Sequence, residues 1–407
     1  MAWSNLLYPW LVGSAICATV VGAALAADPQ TNASDRSCAV DDKTSTAQDT
    51  SQSVPGAMQR EPWLRASGSD ATEKAIVTSL RWLANHQQSD GSWSFDHTLS
   101  PTCRGKCRDP GSMATARNAA TGLALLPFLG SGQTHLAGKY RNTICRGLTY
   151  LVDHMRRGPQ GGALNESGGN MYAHGLASIA LCEAYAMTRD EELFAPAQFA
   201  LDFISFAQDP KGGGWRYKPR EKGDTSVFGC QLTALKSGQM SGLRVPPLTM
   251  QRASLFLDSV QSDGGSAYGY TEPKSGSEAT AAIGLLCRMH LGWKKDNPAL
   301  QQGVKFLDRH GPSGANMYFN YYATQVMCRW QGETWIKWDR QMRELLIHSQ
   351  VKQGHEDGSW FTGRGDNGAD PGGRLYCTAL ATMILEVPYR YLPIYRTQAA
   401  DNQTASN

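Results

Sequence analysis

The sequence predicts an all-α chain closed into a toroid of about six helix pairs, an (α/α)6 architecture, and three observations carry that expectation. A junction motif stands near both ends of the chain, Asp90-Gly91-Ser92-Trp93 and Asp357-Gly358-Ser359-Trp360, each preceded by a Gln and an amphipathic stretch. Degenerate copies lie between them, as Gln208 followed by Gly212-Gly213-Gly214-Trp215 and Gln261 followed by Asp263-Gly264-Gly265 and Tyr268. The copies recur at about fifty residues, the length of one helix pair with its loops. Two kinds of helical segment alternate through these periods, one charged along a face and the other apolar nearly all round.

The chain has 407 residues. Its first segment, Leu6 to Ala26, is apolar and ends in Ala24-Leu25-Ala26, the small-x-small pattern that a signal peptidase cleaves. Residues 1–26 are therefore expected to be a signal peptide, which places the mature protein in the periplasm, the cell envelope or the medium. No Lys or Arg precedes the apolar run, so an uncleaved membrane anchor is the alternative, and only that alternative implies membrane contact. Residues 27–68, rich in Ser, Thr, Asp, Gln and Ala, bury too little to offset their ordering entropy and are expected to form a flexible tether. The toroid is expected over 69–397, followed by a disordered tail over 398–407.

Within the periodic region the charged segments are Glu73 to His86, Tyr140 to Met155, Leu193 to Phe206, Leu248 to Val260, Leu300 to Arg309 and Arg340 to Ser349. Their partners are Ala114 to Leu129, Tyr172 to Met187, Thr225 to Leu235, Ala279 to Leu291, Tyr321 to Trp330 and Thr378 to Glu386. A helix apolar on almost every side must be covered on almost every side, so six outer helices are expected around six inner ones. An open solenoid of stacked pairs is the alternative that the same alternation allows. In either case Trp93, Trp215 and Trp360 fall in the loop between an outer and an inner helix, where a large ring clamps the turn and Gly permits it.

The formal charge of +3 comes from 39 basic and 36 acidic residues without a basic block, which argues against nucleic acid as a partner. Of ten cysteines, Cys182, Cys230, Cys287, Cys328 and Cys377 sit in apolar helical runs and read as core thiols. Cys103 and Cys107 lie in a Gly/Pro-rich loop and are expected to form a local disulfide in an oxidising compartment. A metal pair is the rival reading, but no Cys or His cluster follows at ligand spacing, so no metal and no cofactor are expected.

With its repeated Gln and Gly-x-Trp elements, the stretch from Glu73 to Tyr395 resembles the prenyltransferase and squalene-oxidase repeat family. That family comprises the α/α toroids of terpenoid cyclases, protein prenyltransferase β-subunits and thioester-containing domains. Asp224-Thr225-Ser226-Val227, Tyr321-Tyr322-Ala323-Thr324-Gln325 and Tyr391-Leu392-Pro393-Ile394-Tyr395 are similar to an exported bacterial branch. The resemblance implies a fold, with the Gln amide satisfying backbone groups at a helix end. Its chemistries are missing: there is no Asp-x-Asp-Asp acid motif, and Asp41-Asp42, the only adjacent aspartates, fall in the tether. Ser226 stands where a transferase zinc site has Cys, no His follows in Gly372-Gly373-Arg374-Leu375-Tyr376-Cys377, and Cys230-Gln231-Leu232 lacks the thioester motif.

Polar residues at the starts of the inner helices remain as the candidate site: Arg117, Asn118, His174, Asp224, Glu278, Asn320, Tyr321, Tyr322, Arg374 and Tyr376. If they converge, Asp224, Glu278 and His174 form an acid/base group, and Arg117, Tyr321, Tyr322, Arg374 and Tyr376 bind ligand. The ordinary alternative is structural, with Asp224 as an N-cap, Glu278 as a first-turn acid and His174 in the core. The expected occupant is an apolar or isoprenoid-like ligand or a protein partner. A variant-site isoprenoid transferase or cyclase is the second reading. The third is an (α/α)6 glycoside hydrolase or lyase using a pair among Asp366, Asp370, Asp224 and Glu278, with Tyr318, Tyr321 and Tyr322 along a cleft.

Overall fold

Among the described residues of the computed structural model, twelve helices alternate between an outer and an inner ring, and the inner ring closes on itself. The structure describes residues 70–388 except 167–169, 275 and 364–365. The expected signal peptide, tether and tail lie outside the described residues. The outer helices are α1 (Asp70–Asn85), α3 (Arg141–Asp153), α5 (Glu191–Ala207), α7 (Pro247–Val260), α9 (Pro298–His310) and α11 (Glu333–Ser349). The inner helices are α2 (Arg117–Gly130), α4 (Asn170–Thr188), α6 (Thr225–Met240), α8 (Glu278–His290), α10 (Met317–Trp330) and α12 (Ala369–Glu386). Each inner helix packs on the next, and α12 returns to pack on α2. That contact excludes the open solenoid.

The division into rings follows burial. Every residue of α2 except Arg117 is buried, whereas α9 buries only Leu300, Gly303, Val304 and Leu307, a single stripe at helical spacing. The junctions join each repeat to its successor. The Gln87 amide donates to Gly91 O at 2.8 Å in its own loop and to Thr143 O at 2.9 Å in the next outer helix. Gln208 does the same to Gly213 O and Thr249 O, at 2.8 and 2.9 Å. Gln350 closes the circuit, donating to Gly358 O at 3.0 Å and to Ala75 O of α1 at 2.9 Å.

The junction tryptophans are buried and donate from Nε1 to the outer helix that precedes them, Trp93 to Leu83 O, Trp215 to Ile204 O and Trp360 to Leu346 O, each at 2.8 Å. Gly358 has φ +92°, and a Cβ there would lie 2.3 Å from Thr78 O of α1, so only glycine permits the last repeat to approach the first. A junction hidden in the sequence lies at Gly161, where a Cβ would meet Phe199 O of α5 at 2.5 Å. Two short hairpins, β1–β2 (Arg156–Gly158 with Gly161–Ala163) and β3–β4 (Gln261–Ser262 with Ala267–Tyr268), decorate the second and fourth junctions.

Helix boundaries differ from expectation mainly in the last third. α11 begins at Glu333, ahead of the expected Arg340, because Trp335 and Trp338 already bury its inner face among charged neighbours. α12 begins at Ala369 with a first turn that bends at Gly373 (φ 59°) before the main helix, a segment whose glycines read as loop. Among the described residues no helix is long and apolar enough to cross a membrane.

Candidate functional site

The N-terminal ends of the inner helices carry a group of tyrosines and two buried carboxyls. Asp224 is the N-cap of α6, its side chain accepting from Val227 N at 2.8 Å, and it is fully buried. Arg216 Nε stands 3.7 Å from its second oxygen, and the Tyr270 phenol lies beside the carboxyl. Burial pushes the Asp224 carboxyl up to about 6 against the opposing pull of the Val227 amide and Arg216. Tyr217 and Tyr270 share a hydroxyl contact of 2.7 Å, with the Arg216 guanidinium over both rings. The junction loops place them there: Met171 N at the start of α4 donates to Tyr217 O at 3.1 Å, and Thr225 N at the start of α6 donates to Tyr270 O at 2.9 Å.

Tyr172 is the hub. Burial raises its phenol well above the usual value, and Asp224, Tyr217 and Tyr270 add to the shift. Tyr172 in turn raises Tyr318 and Tyr376, whose phenols are also pushed up first by burial. Tyr318 hydroxyl donates to Ser226 O of α6 at 3.1 Å, reaching past the intervening α8 across the interior of the ring. Tyr322 packs edge-on against Tyr318 and Tyr321, with centroids 5.0 and 5.2 Å apart. Asp366 caps α10 through Tyr318 N at 3.2 Å, accepts from Gly368 N at 2.8 Å and is approached by the Tyr376 hydroxyl at 3.3 Å. Burial raises its carboxyl.

Several expected site residues are committed elsewhere. His174 is a core residue: its Nδ1 accepts from Leu164 N at 3.1 Å, and its Nε2 donates to Ala200 O of α5 at 3.1 Å. Burial lowers its pKa to about 3, so it bridges the two rings as a neutral imidazole and joins no carboxylate. Glu278 is a half-buried first-turn acid that accepts from Asn316 Nδ2 of the next repeat at 3.3 Å. The expected trio of Asp224, Glu278 and His174 therefore shares no partner. Asn118 donates to Leu164 O at 3.1 Å, and the Asn320 amide satisfies the Ser313 backbone.

Arg117 and Arg374 are junction residues. Arg117 spans Asp90 at 3.0 and 3.1 Å and also reaches Ser92 Oγ. Arg374 donates to the corresponding Ser359 Oγ at 3.1 Å, pairs with Asp109 and lies 3.2 Å from Glu356 Oε2. The expected Cys103–Cys107 disulfide is not formed. Both cysteines are free and buried, and with His86 and His355 they form a group whose ligand atoms all lie within 4.8 Å of one another. The two histidines stand far from the cysteine loop in sequence, His355 in the last repeat, so local spacing could not show them.

Tyr172, Tyr217 and Tyr270, and the Arg216 beside them, escaped the sequence reading. A signal exists in retrospect: Tyr217 and Tyr270 each stand two residues after the junction aromatic, Trp215 and Tyr268.

Solved structures of closed double rings superpose on this chain over most of its length. The type II terpene cyclase MstE from Scytonema, in its apo form, aligns with a TM-score of 0.52 at 13% identity, covering 78% of this chain and 97% of that one. The chain has the fold of the terpenoid-cyclase-like α/α toroids. The same toroid occurs in cellobiose 2-epimerase from Bacillus thermoamylovorans (TM-score 0.56, 11% identity, 80% of this chain and 98% of that one). A glycoside hydrolase family 76 mannosidase from Bacteroides thetaiotaomicron also shares it (TM-score 0.52, 11% identity, 79% and 98%). Neither a protein-family model nor a curated protein matches the sequence. At these identities the likeness to the toroids is one of fold.

Proposed function

We propose that this toroid binds a polyhydroxylated ligand of the sugar class at the tyrosine-lined ends of its inner helices, with Asp224 as the group that governs binding. The observation that carries the reading is the gathering of Tyr172, Tyr217, Tyr270, Tyr318 and Tyr376 around the two buried carboxyls Asp224 and Asp366. Phenol faces stack on sugar rings, while phenol hydroxyls and carboxyls bond sugar hydroxyls. An alkene-protonating acid needs a carboxyl more acidic than usual, and Asp224 is shifted the other way, to about 6. That value suits proton exchange with a hydroxyl near neutral pH. A second reading, an apolar or isoprenoid-like ligand, is favoured by the edge-on cluster of the Tyr318, Tyr321 and Tyr322 rings. Export through cleavage after Ala26 is part of the proposal and accords with access to extracytoplasmic glycans.

The test is a thermal-shift screen of the protein against oligosaccharides and polyprenyl phosphates, since a ligand that binds only the folded state raises its melting temperature. A shift with oligosaccharides that is lost in Asp224→Asn supports the reading, because Asn keeps the helix cap and removes only the carboxyl. A shift with polyprenyl phosphates alone transfers the site to the second reading. No shift with either class overturns both.

A further inference from the structure

We infer that His86, Cys103, Cys107 and His355 form a structural zinc site that fastens the last repeat to the first and so closes the toroid. The four ligand atoms lie within 4.8 Å of one another, and three of the four residues are buried while His355 is partly exposed. Cys107 Sγ lies 3.4 Å from His86 Nε2 and 3.2 Å from His355 Nδ1. A tetrahedral zinc ion with bonds of roughly 2.3 Å to sulfur and 2.0 Å to nitrogen separates such ligands by about 3.5 Å. Two thiolates and two neutral imidazoles balance the charge of the ion, and a set of four protein ligands leaves no open position for substrate, as in structural sites.

The surroundings are those of a ligating histidine. His86 Nδ1 lies 2.6 Å from Trp82 O, which fixes the tautomer with its proton on Nδ1 and turns Nε2 toward the sulfur. The loops that carry the ligands are braced to each other: Arg108 N donates to Glu356 Oε1 at 2.7 Å, Arg374 Nε donates to Arg108 O at 3.2 Å, and Arg374 lies between Asp109 and Glu356. The bonds of Arg108 and Asp109 link residues flanking Cys107 with Glu356, which flanks His355, and with Arg374 of the last repeat. The site is separate from the Asp224 region, where Ser226 occupies the position of a transferase zinc ligand.

The full chain, purified without chelator and under reducing conditions, is expected to carry one zinc per molecule by elemental analysis. Replacement by cobalt should produce the visible absorption of thiolate-ligated tetrahedral cobalt. Cys107→Ser and His355→Ala should each weaken metal binding by about tenfold or more, and chelation should lower the melting temperature of the parent protein but not of Cys107→Ser. His355 is the partly exposed ligand, so its variant tests the site if Cys107→Ser fails to fold. Zinc-free protein that takes up neither metal overturns the inference. So does undiminished binding in either folded variant, or recovery of Cys103 and Cys107 as a mutual disulfide from protein purified without oxygen.

Discussion

The first and last junctions share the tetrapeptide Asp-Gly-Ser-Trp and an inner-helix Arg that reaches its Ser, yet their charges are wired differently. In the first repeat Arg117 returns to Asp90 of its own loop, a pair that is half open to solvent. In the last repeat Arg374 turns from its own Asp357 to Asp109 and Glu356, and Asp357 pairs instead with Arg81 of α1. The same motif thus serves as a local clasp in one place and as the seam of the ring in the other. A threonine one turn into the helix is common to both: Trp93 N donates to Thr121 Oγ1 at 3.0 Å and Trp360 N to Thr378 Oγ1 at 3.1 Å.

The largest expected effect probes what the two junctions share. Trp360→Ala and Trp93→Ala each empty a fully enclosed indole site and should cost about 3–5 kcal/mol, read by denaturant unfolding. A loss at Trp360 far larger than at Trp93 would mean that the seam carries the cooperativity of the whole ring.

The arginines separate the two. Arg374 is 3% exposed, and Arg374→Ala removes the buried cation shared by Asp109 and Glu356 and leaves Glu356 only the exposed Arg108, which should cost about 3 kcal/mol. Arg117 pairs with a half-exposed Asp90, and Arg117→Ala should cost less than about 1 kcal/mol. Equal losses would erase the distinction between clasp and seam.

A smaller effect contrasts a histidine inside a repeat with one at the seam. His174 uses both nitrogens on the backbone, whereas His86 uses one and turns the other to Cys107. The folded pKa of His174, near 3, lies below the unfolded value of 6.5, so its stabilisation is complete above pH 6.5 and is lost as pH falls through that value. The loss is about 2 kcal/mol at pH 5. Asp224, raised to about 6, works in the opposite sense, since its folded form gains a proton first and stability rises as pH falls from 6 toward 4. Unfolding curves at pH 7 and pH 5 should show that His174→Asn loses about 2 kcal/mol less than the parent protein on acidification. An identical loss in both would show that His174 is not held neutral.

The ring was legible in the sequence because its two determinants are local. A helix advertises its surroundings through its own periodicity, as α2 and α9 do, and the junction motif keeps Gln, Gly and Trp within a short stretch. The site was less legible because proximity across a ring leaves no trace in spacing. His86 and His355 meet the Cys103–Cys107 loop only after the circle closes, and Tyr318 meets Ser226 only across its interior. Acids and arginines at helix starts were visible as residue types, but whether a side chain caps a helix, as Asp224 and Asp366 do, or binds a seam, as Arg374 does, depends on the neighbouring repeat. The second junction was missed for a different reason: Gly161 keeps the backbone geometry, but Ala163 and Leu164 follow it where the other junctions carry an aromatic.

The forward reach of the junction glutamines has a topological meaning. Stacked-repeat proteins that end in open space need terminal units with a solvent-tolerant face. Here Gln350 does for Ala75 what Gln87 does for Thr143, so every repeat has a predecessor and a successor. No unit is first or last in the folded state. The order imposed by synthesis is erased on closure, and the structural ends of the chain are a property of its covalent path alone.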